Sequence, residues 1–387
     1  MTNSYRLFGM PGSLYTAKAR AYLRKQQLDM VEMPVGDPAF QPILKQIGRF
    51  IMPVVVMPGG EVVQDSTAII DHIEAIGAAR RSAYPQTPVH HLVSLIIELF
   101  GGEGLLRPAM HYRWNFDAEN IAFLRHDFVA ALNPKADKVT GDATFAMAST
   151  LMRKAGASFG VNEATIPTIE SSYAELLALL DAHFSTTPYL LGGRPTIGDY
   201  GLIGPLFAHL GRDPAPARQM QAGARAVFRW TERMNAPDAL LDGLCRDEAL
   251  FADDAVPDTL MALLRYIAVD YLPELTAHIA FTNAWLAERP DLAPGTNGLE
   301  NPAQRSIGMA SFVWRGHEIA TAVLPYRFWL LQRVQDAAAA LDSKGKAAIA
   351  ALLEDCGLAP LLELRTARRV ERVNHLEIWG DAELANA

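Results

Sequence analysis

LFGMPGSLYTAKARAYL, Leu7 to Leu23, reads as a short apolar strand, a loop around Pro11 and Gly12, and an amphipathic helix opening near Ser13. Ser13-Leu14-Tyr15-Thr16 then falls where a thiol-disulfide scaffold carries a C-x-x-C pair. Hydroxyls stand where thiols would be. Working outward, Tyr5–Phe8 is the strand, Leu14–Gln27 the helix and Met30–Val35 a second strand. Beyond the turn marked by Gly36 and Pro38, Gln41–Ile47 makes a short helix. Val54–Met57 and Glu61–Val63 form a hairpin across Pro58-Gly59-Gly60. Ser66–Ile76 has helical spacing, with Ser66 as its expected N-cap. The order β-α-β-α-β-β-α is that of an α/β thioredoxin-like domain, assigned to residues 1–82.

Helical periodicity dominates from Val89, at Leu92–Phe100, Ile121–Leu132, Ile169–Phe184 and Asp199–Leu210. Thr196-x-x-Asp199 is a capping box that marks where a core helix begins. A large, mainly α-helical C-terminal domain is therefore expected over 86–244. Residues 245–387 form an additional, mainly helical extension expected to pack on it. Thr259–Leu286 gives one or two helices, FVWRGHEIATAVL a hairpin turning at Arg315-Gly316, and Tyr326–Leu341 and Lys344–Leu353 further helices. LRTARRVERVNH, with Arg365, Arg368, Arg369 and Arg372, reads as the solvated face of a helix rather than a nucleic-acid patch.

Among 387 residues, 35 Lys and Arg against 43 Asp and Glu leave a formal charge of −8, which disfavours nucleic acid and acidic membranes as partners. Cys245 and Cys356 are the two cysteines, far apart and without metal-ligand neighbours. The ten His show no ligand spacing either, so no metal is expected. No signal-like start and no uninterrupted apolar run of about 18 residues stands out. A cytoplasmic, membrane-free protein is the expectation.

Taken in order, the opening segment, Met52-Pro53 ahead of Val54-Val55-Val56, and QDSTAIIDHIE from Gln64 to Glu74 resemble the signature segments of the cytosolic glutathione S-transferase superfamily, in its serine-type, bacterial-like form. YLLGGRPTIGDYGLIGPLFAHL and FRWTERMNAPD resemble the same family's helical domain, which normally ends near there. A thiol with an ordinary pKa near 8.5 is mostly protonated at neutral pH, and a hydroxyl donor at a helix N-terminus stabilises its thiolate. The resemblance gives that catalytic role to Ser13, with Tyr15 and Thr16 as other hydroxyls nearby; Phe8 stands where the tyrosine-type classes have their donor and cannot donate. Locally, Ser13 is equally a plain N-cap.

The resemblance further implies glutathione as co-substrate, bound without a metal. Pro53 would be cis, and the Met52 backbone would pair with the cysteinyl part. Asp65 would meet the α-ammonium and Ser66 the α-carboxylate of the γ-glutamyl group, with Gln64 beside them; read locally, this trio is also an N-cap with a solvated acid. Ile51 stands where many relatives have a cation, leaving Arg49, or Lys45 further back, for the glycyl carboxylate. Tyr15, His111, Tyr112 and Trp114 are candidates for the pocket of a hydrophobic electrophile. A homodimer is compatible with the family. The implied function is attack of an activated glutathione thiol on that electrophile, conjugation being the default and isomerisation, ether cleavage or peroxide reduction the other uses of the same thiolate. The alternative is a non-catalytic binding or interaction protein on this scaffold.

Overall fold

Leu7 and Phe8 leave β1 (Tyr5–Gly9) in opposite directions, and each is wholly buried. β1 runs parallel to β2 (Met30–Pro34) and antiparallel to β3 (Val54–Val56), which pairs with β4 (Val62–Gln64), giving the order β2-β1-β3-β4. Leu7 and Val55 join α1 (Leu14–Lys25) and α3 (Ser66–Ala75) in the main core through Tyr22, Ile69 and Ile73. Phe8, Val54 and Val56 face the other way, onto Phe40 and Ile43 around α2 (Gln41–Ile47). This is the expected thioredoxin-like layer. The computed structural model describes residues 4–237, 244 and 247–382. Cys245 lies outside the described residues.

The helical part comprises α4 (Pro88–Leu99), a π-helical turn at Phe100–Gly104, α5 (Leu106–Trp114), α6 (Asp117–Leu132), α7 (Lys138–Ala157), α8 (Ile166–Phe184), α9 (Ile197–Ala208), α10 (Pro214–Gly223) and α11 (Arg225–Asn235). Gly101 and Gly201 let backbones meet where the π turn crosses α9: a Cβ on either would lie 2.6 Å from main-chain atoms of the other segment. No uninterrupted apolar run of about 18 residues stands out in the sequence, yet the stretch Pro88–Trp114 contains a window long and apolar enough by composition to cross a membrane; 83% of that window is buried inside the protein. It is a core helix here.

The extension continues as α12 (Asp258–Asp270), α13 (Leu272–Ala287), the hairpin β5 (Gly308–Trp314) and β6 (His317–Val323), α14 (Pro325–Ala339), α15 (Ser343–Cys356) and a second hairpin, β7 (Arg368–Val373) and β8 (Leu376–Ala382). Arg315 and Gly316 make the expected turn at φ 45° and 86°. The arginine-rich segment departs from expectation, because it is strand rather than helix. Arg-Val-Glu-Arg-Val alternates with period two, Val370 is 2% exposed, and Asn374 and His375 close the hairpin at φ 49° and 66°. The extension packs on α4 and α8 and also reaches the sheet domain. A single apolar core runs from Leu7 through Ile96 to Leu331 and Trp379.

Candidate active site

Ser13 sits in extended conformation at the entrance to α1, and its Oγ accepts the Thr16 amide at 3.3 Å. Accepting leaves its proton unspent: among the described residues no acceptor for it is found. The loop before it is held from two sides. Arg20 donates to the Met10 carbonyl at 3.3 Å, and Arg113 on α5 donates to the Gly12 carbonyl at 2.7 Å. Arg113 also bonds Ala208 O at 2.7 Å and grips Asp213 through Nε at 2.6 Å and Nη2 at 2.9 Å. It is 3% exposed, a buried clamp between the helical part and the Ser13 loop.

Tyr15 turns away from a thiol. Its hydroxyl donates to Glu103 at 2.8 Å, and burial, then the Glu103 carboxylate, push its pKa up. Thr16 is buried against Gly9. The Met52–Pro53 bond is cis, and the Asp65 amide donates to the Pro53 carbonyl at 3.2 Å. Ser66 is the first residue of α3, and its N-cap is Asp65 rather than Ser66, at φ 89°, with Oδ1 accepting from Thr67 N at 2.9 Å and Ala68 N at 3.0 Å. A carboxylate outranks the hydroxyl next door because it satisfies two orphan amides at once. Ser66 Oγ is left buried with no hydrogen-bond partner.

The hairpin β7–β8 lies over these residues. Arg372 places Nη1 3.2 Å from Asp65 Oδ1, donates Nη2 to Gln64 Oε1 at 2.9 Å and approaches Glu377 at 3.3 Å. Burial would raise the Asp65 carboxyl, but Arg372, the Ala68 amide and Lys18 hold it below the usual carboxylate range. Arg49 donates to the His375 carbonyl and stands 3.5 Å from Glu377. Burial lowers its pKa, opposed by Glu377. Beneath, Lys18 Nζ meets Thr67 Oγ1 at 2.8 Å and the Glu98 carboxylate, while Tyr326 OH lies 3.3 Å from Thr67 Oγ1. Nothing local in QDS or in RRVERVNH announced this meeting, since 308 positions separate Gln64 from Arg372; the period-two alternation was the one readable sign that Arg372 lies on a strand.

Of the aromatic candidates, Trp114 is the one tied to the Ser13 loop, packing with Met10, Phe128 and the partly buried Met52. His111 is engaged with Glu170 at 3.0 Å and Asn115 at 2.8 Å, and burial holds its imidazole below the ordinary range. Tyr112 stacks on Phe116 with centroids 5.4 Å apart and lines a cavity with Glu170 and Arg218. Burial pushes its phenol up to about 12. These two residues sit among helical-domain neighbours and are not gathered with Ser13. Among the described residues no His, Cys, Asp and Glu group suits a metal.

A thioredoxin-like sheet with a hydroxyl at the start of its first helix and a cis proline before β3, joined to a helical part, is the architecture these residues build. Residues 7–81 match the family described as glutathione S-transferase, N-terminal domain, and residues 163–233 match glutathione S-transferase, C-terminal domain. Residues 7–81 and 163–233 therefore carry the two domains of the glutathione S-transferase superfamily. Solved structures similar to it include the beta-etherase LigF from Sphingobium sp. strain SYK-6, at 17% identity and TM-score 0.43, covering 60% of this chain and 95% of that one. A glutathione S-transferase of Ceriporiopsis subvermispora, solved in complex with glutathione, is similar at 17% identity and TM-score 0.39, covering 62% and 100%. FzlA from C. crescentus is similar at 17% identity and TM-score 0.33, covering 65% and 97%. Among curated proteins none matches the sequence.

Proposed function

We propose that this protein is a serine-type glutathione transferase that activates the glutathione thiol for attack on a hydrophobic electrophile. The observation that carries the reading is Ser13: its oxygen caps α1 while its proton stays free, at the positive end of a 12-residue helix. A sulfur anion placed there gains a donor and a favourable dipole, and lowering its pKa by two units takes about 2.7 kcal/mol. Pro53, the Met52 backbone and the unpartnered Ser66 hydroxyl fit the rest of glutathione, since a buried hydroxyl without a partner suits an incoming carboxylate. Met10 and Trp114 are buried beside the Ser13 loop, which leaves the partly buried Met52 as the apolar contact for the electrophile there. The paucity of cysteine supports work in a reducing cytoplasm.

The test is ultraviolet titration of the thiolate in the protein–glutathione complex. Ser13→Ala should fold normally, raise the bound thiol's pKa by one to two units and cut turnover of an aryl halide at neutral pH roughly ten- to hundredfold. An identical titration in the variant would remove Ser13 from the chemistry. The second reading, a non-catalytic binding protein, is favoured by one observation, the guanidinium already resting on Asp65. Calorimetry that records no heat with reduced glutathione would choose it.

A further inference from the structure

Asp65 already carries a cation, and that cation belongs to the chain. Its carboxylate is 7% exposed residue surface, two of its contacts are amides of its own helix, and the third is Arg372 at 3.2 Å. An α-ammonium arriving at the same oxygens would meet a guanidinium within a few ångström, and like charges at that distance in a half-dry site exclude one another. Gln64 is taken by the same guanidinium, and Arg49 by the hairpin's tip through the His375 carbonyl and Glu377. Three residues implied for glutathione are thus held by one short segment.

That segment is anchored in the core at its base, and at its tip only by the polar contacts just named. Val370 exchanges hydrogen bonds of 2.8 and 2.9 Å with Gln332, Arg368 bonds Gly380 O at 2.7 Å and Leu292 O at 2.6 Å, and Trp379 is 1% exposed with its amide on Thr296 O at 2.9 Å. Beyond them, Val373 is 46% exposed and the Asn374-His375 turn has few contacts besides Arg49. When Arg372 lets go of Asp65 it leaves the Trp329 and Tyr326 rings, now 5.2 and 5.6 Å from its guanidinium carbon, but keeps Glu377, 3.3 Å away on the same hairpin, as its partner.

We infer that the tip of the β7–β8 hairpin is an intramolecular gate on the γ-glutamyl subsite, with Arg372 standing in for the ligand's ammonium until the tip lifts. The inference rests on the glutathione reading above. A gate closed nine-tenths of the time weakens apparent affinity about tenfold, because only the open fraction binds. Removing the surrogate should therefore tighten binding, whereas removing an ordinary binding residue loosens it.

The experiment uses the full chain and two variants, Arg372→Ala and Arg372→Gln, each first checked for a cooperative melt. Hydrogen exchange should quicken at 372–377 and stay unchanged at 368–370 and 379–380; unchanged exchange at the tip would overturn the claim that Arg372 holds it. Calorimetric titration with reduced glutathione should then give about tenfold tighter binding in both variants. Weaker binding would make Arg372 part of the binding site and equal binding would make it a bystander; either ends the gate. No binding to wild type or variants would end the glutathione reading itself, and the gate with it, a result distinct from either of the others.

Discussion

Arg113 shows what one side chain does for the Ser13 loop. Four of its five N–H donors reach Gly12 O, Ala208 O and both oxygens of Asp213, a planar fork that an ammonium cannot reproduce. Burial raises the Asp213 carboxyl and Arg113 pulls it back down, so the two charges tolerate the interior only together. Arg113→Met should cost about 3–5 kcal/mol by leaving Asp213 alone. Arg113→Lys keeps the charge but cannot serve the carboxylate and the Gly12 carbonyl at once. The expected outcome is a protein that folds with a modest loss and binds its ligand, yet holds the bound thiol less ionised; chemical denaturation alongside the thiolate titration separates the two effects. A Lys variant with a normal thiol titration would show that Ser13 is positioned without the clamp.

The capping box shows the element scale, where sequence and structure agree for a physical reason. Thr196 and Asp199 cap α9 from positions three apart, so the box itself is local and readable: Asp199 accepts from Thr196 N at 2.9 Å, and further from Leu190 N at 3.1 Å and Trp230 Nε1 at 3.2 Å. The sheet was legible on the same ground, because Leu7, Phe8, Val54 and Val55 alternate between two cores. Arg372 and Asp65 were not legible together, since each segment has a sufficient local reading and only the tertiary fold brings them within 3.2 Å. Asp199 also carries a pH signature. Burial pushes its carboxyl from 3.8 up to about 6 in spite of its donors. The protonated form is thus the one the fold favours, and the associated stability, about 3 kcal/mol, is present below pH 3.8 and lost as pH rises to about 6. Asn cannot titrate, and its NH2 would face N–H donors that a carboxylate oxygen now accepts, so Asp199→Asn should be less stable than wild type at pH 4 and close that gap by up to about that amount as pH rises toward 7 in denaturant melts. A stability difference independent of pH would mean the carboxyl is ionised throughout.

At the scale of the whole molecule, a buried ionic chain joins parts that the sequence presents as separate. Tyr15 of α1 donates to Glu103 in the π turn, Glu103 lies 3.3 Å from Arg327 on α14, Arg327 reaches Glu274 on α13 at 2.6 Å, and Glu274 returns to Arg107 on α5 at 2.8 Å. Every charged member is at most 3% exposed. Charges so deep are held by partners or not at all, because the cost of stripping their water is several kcal/mol each. Burial would raise the Glu274 carboxyl, but Arg327 and then Arg107 bring it from 4.5 to about 2. A depressed carboxyl contributes stability that is present above pH 4.5 and lost as pH falls toward 2. Glu274→Gln leaves Arg327 with Glu103 alone and takes from Arg107 the carboxylate it pairs with, and should cost about 3–5 kcal/mol near neutrality. If the chain ties the extension to the Ser13 domain, the loss appears as one transition, with all three parts melting together around their common apolar core. The gap between wild type and variant should then narrow as pH drops below about 4.5, where the wild-type carboxylate begins to lose its own advantage. Parallel stability curves down to pH 3, or a variant in which the extension alone melts early, would show that the ionic chain does not bind the molecule into one cooperative unit.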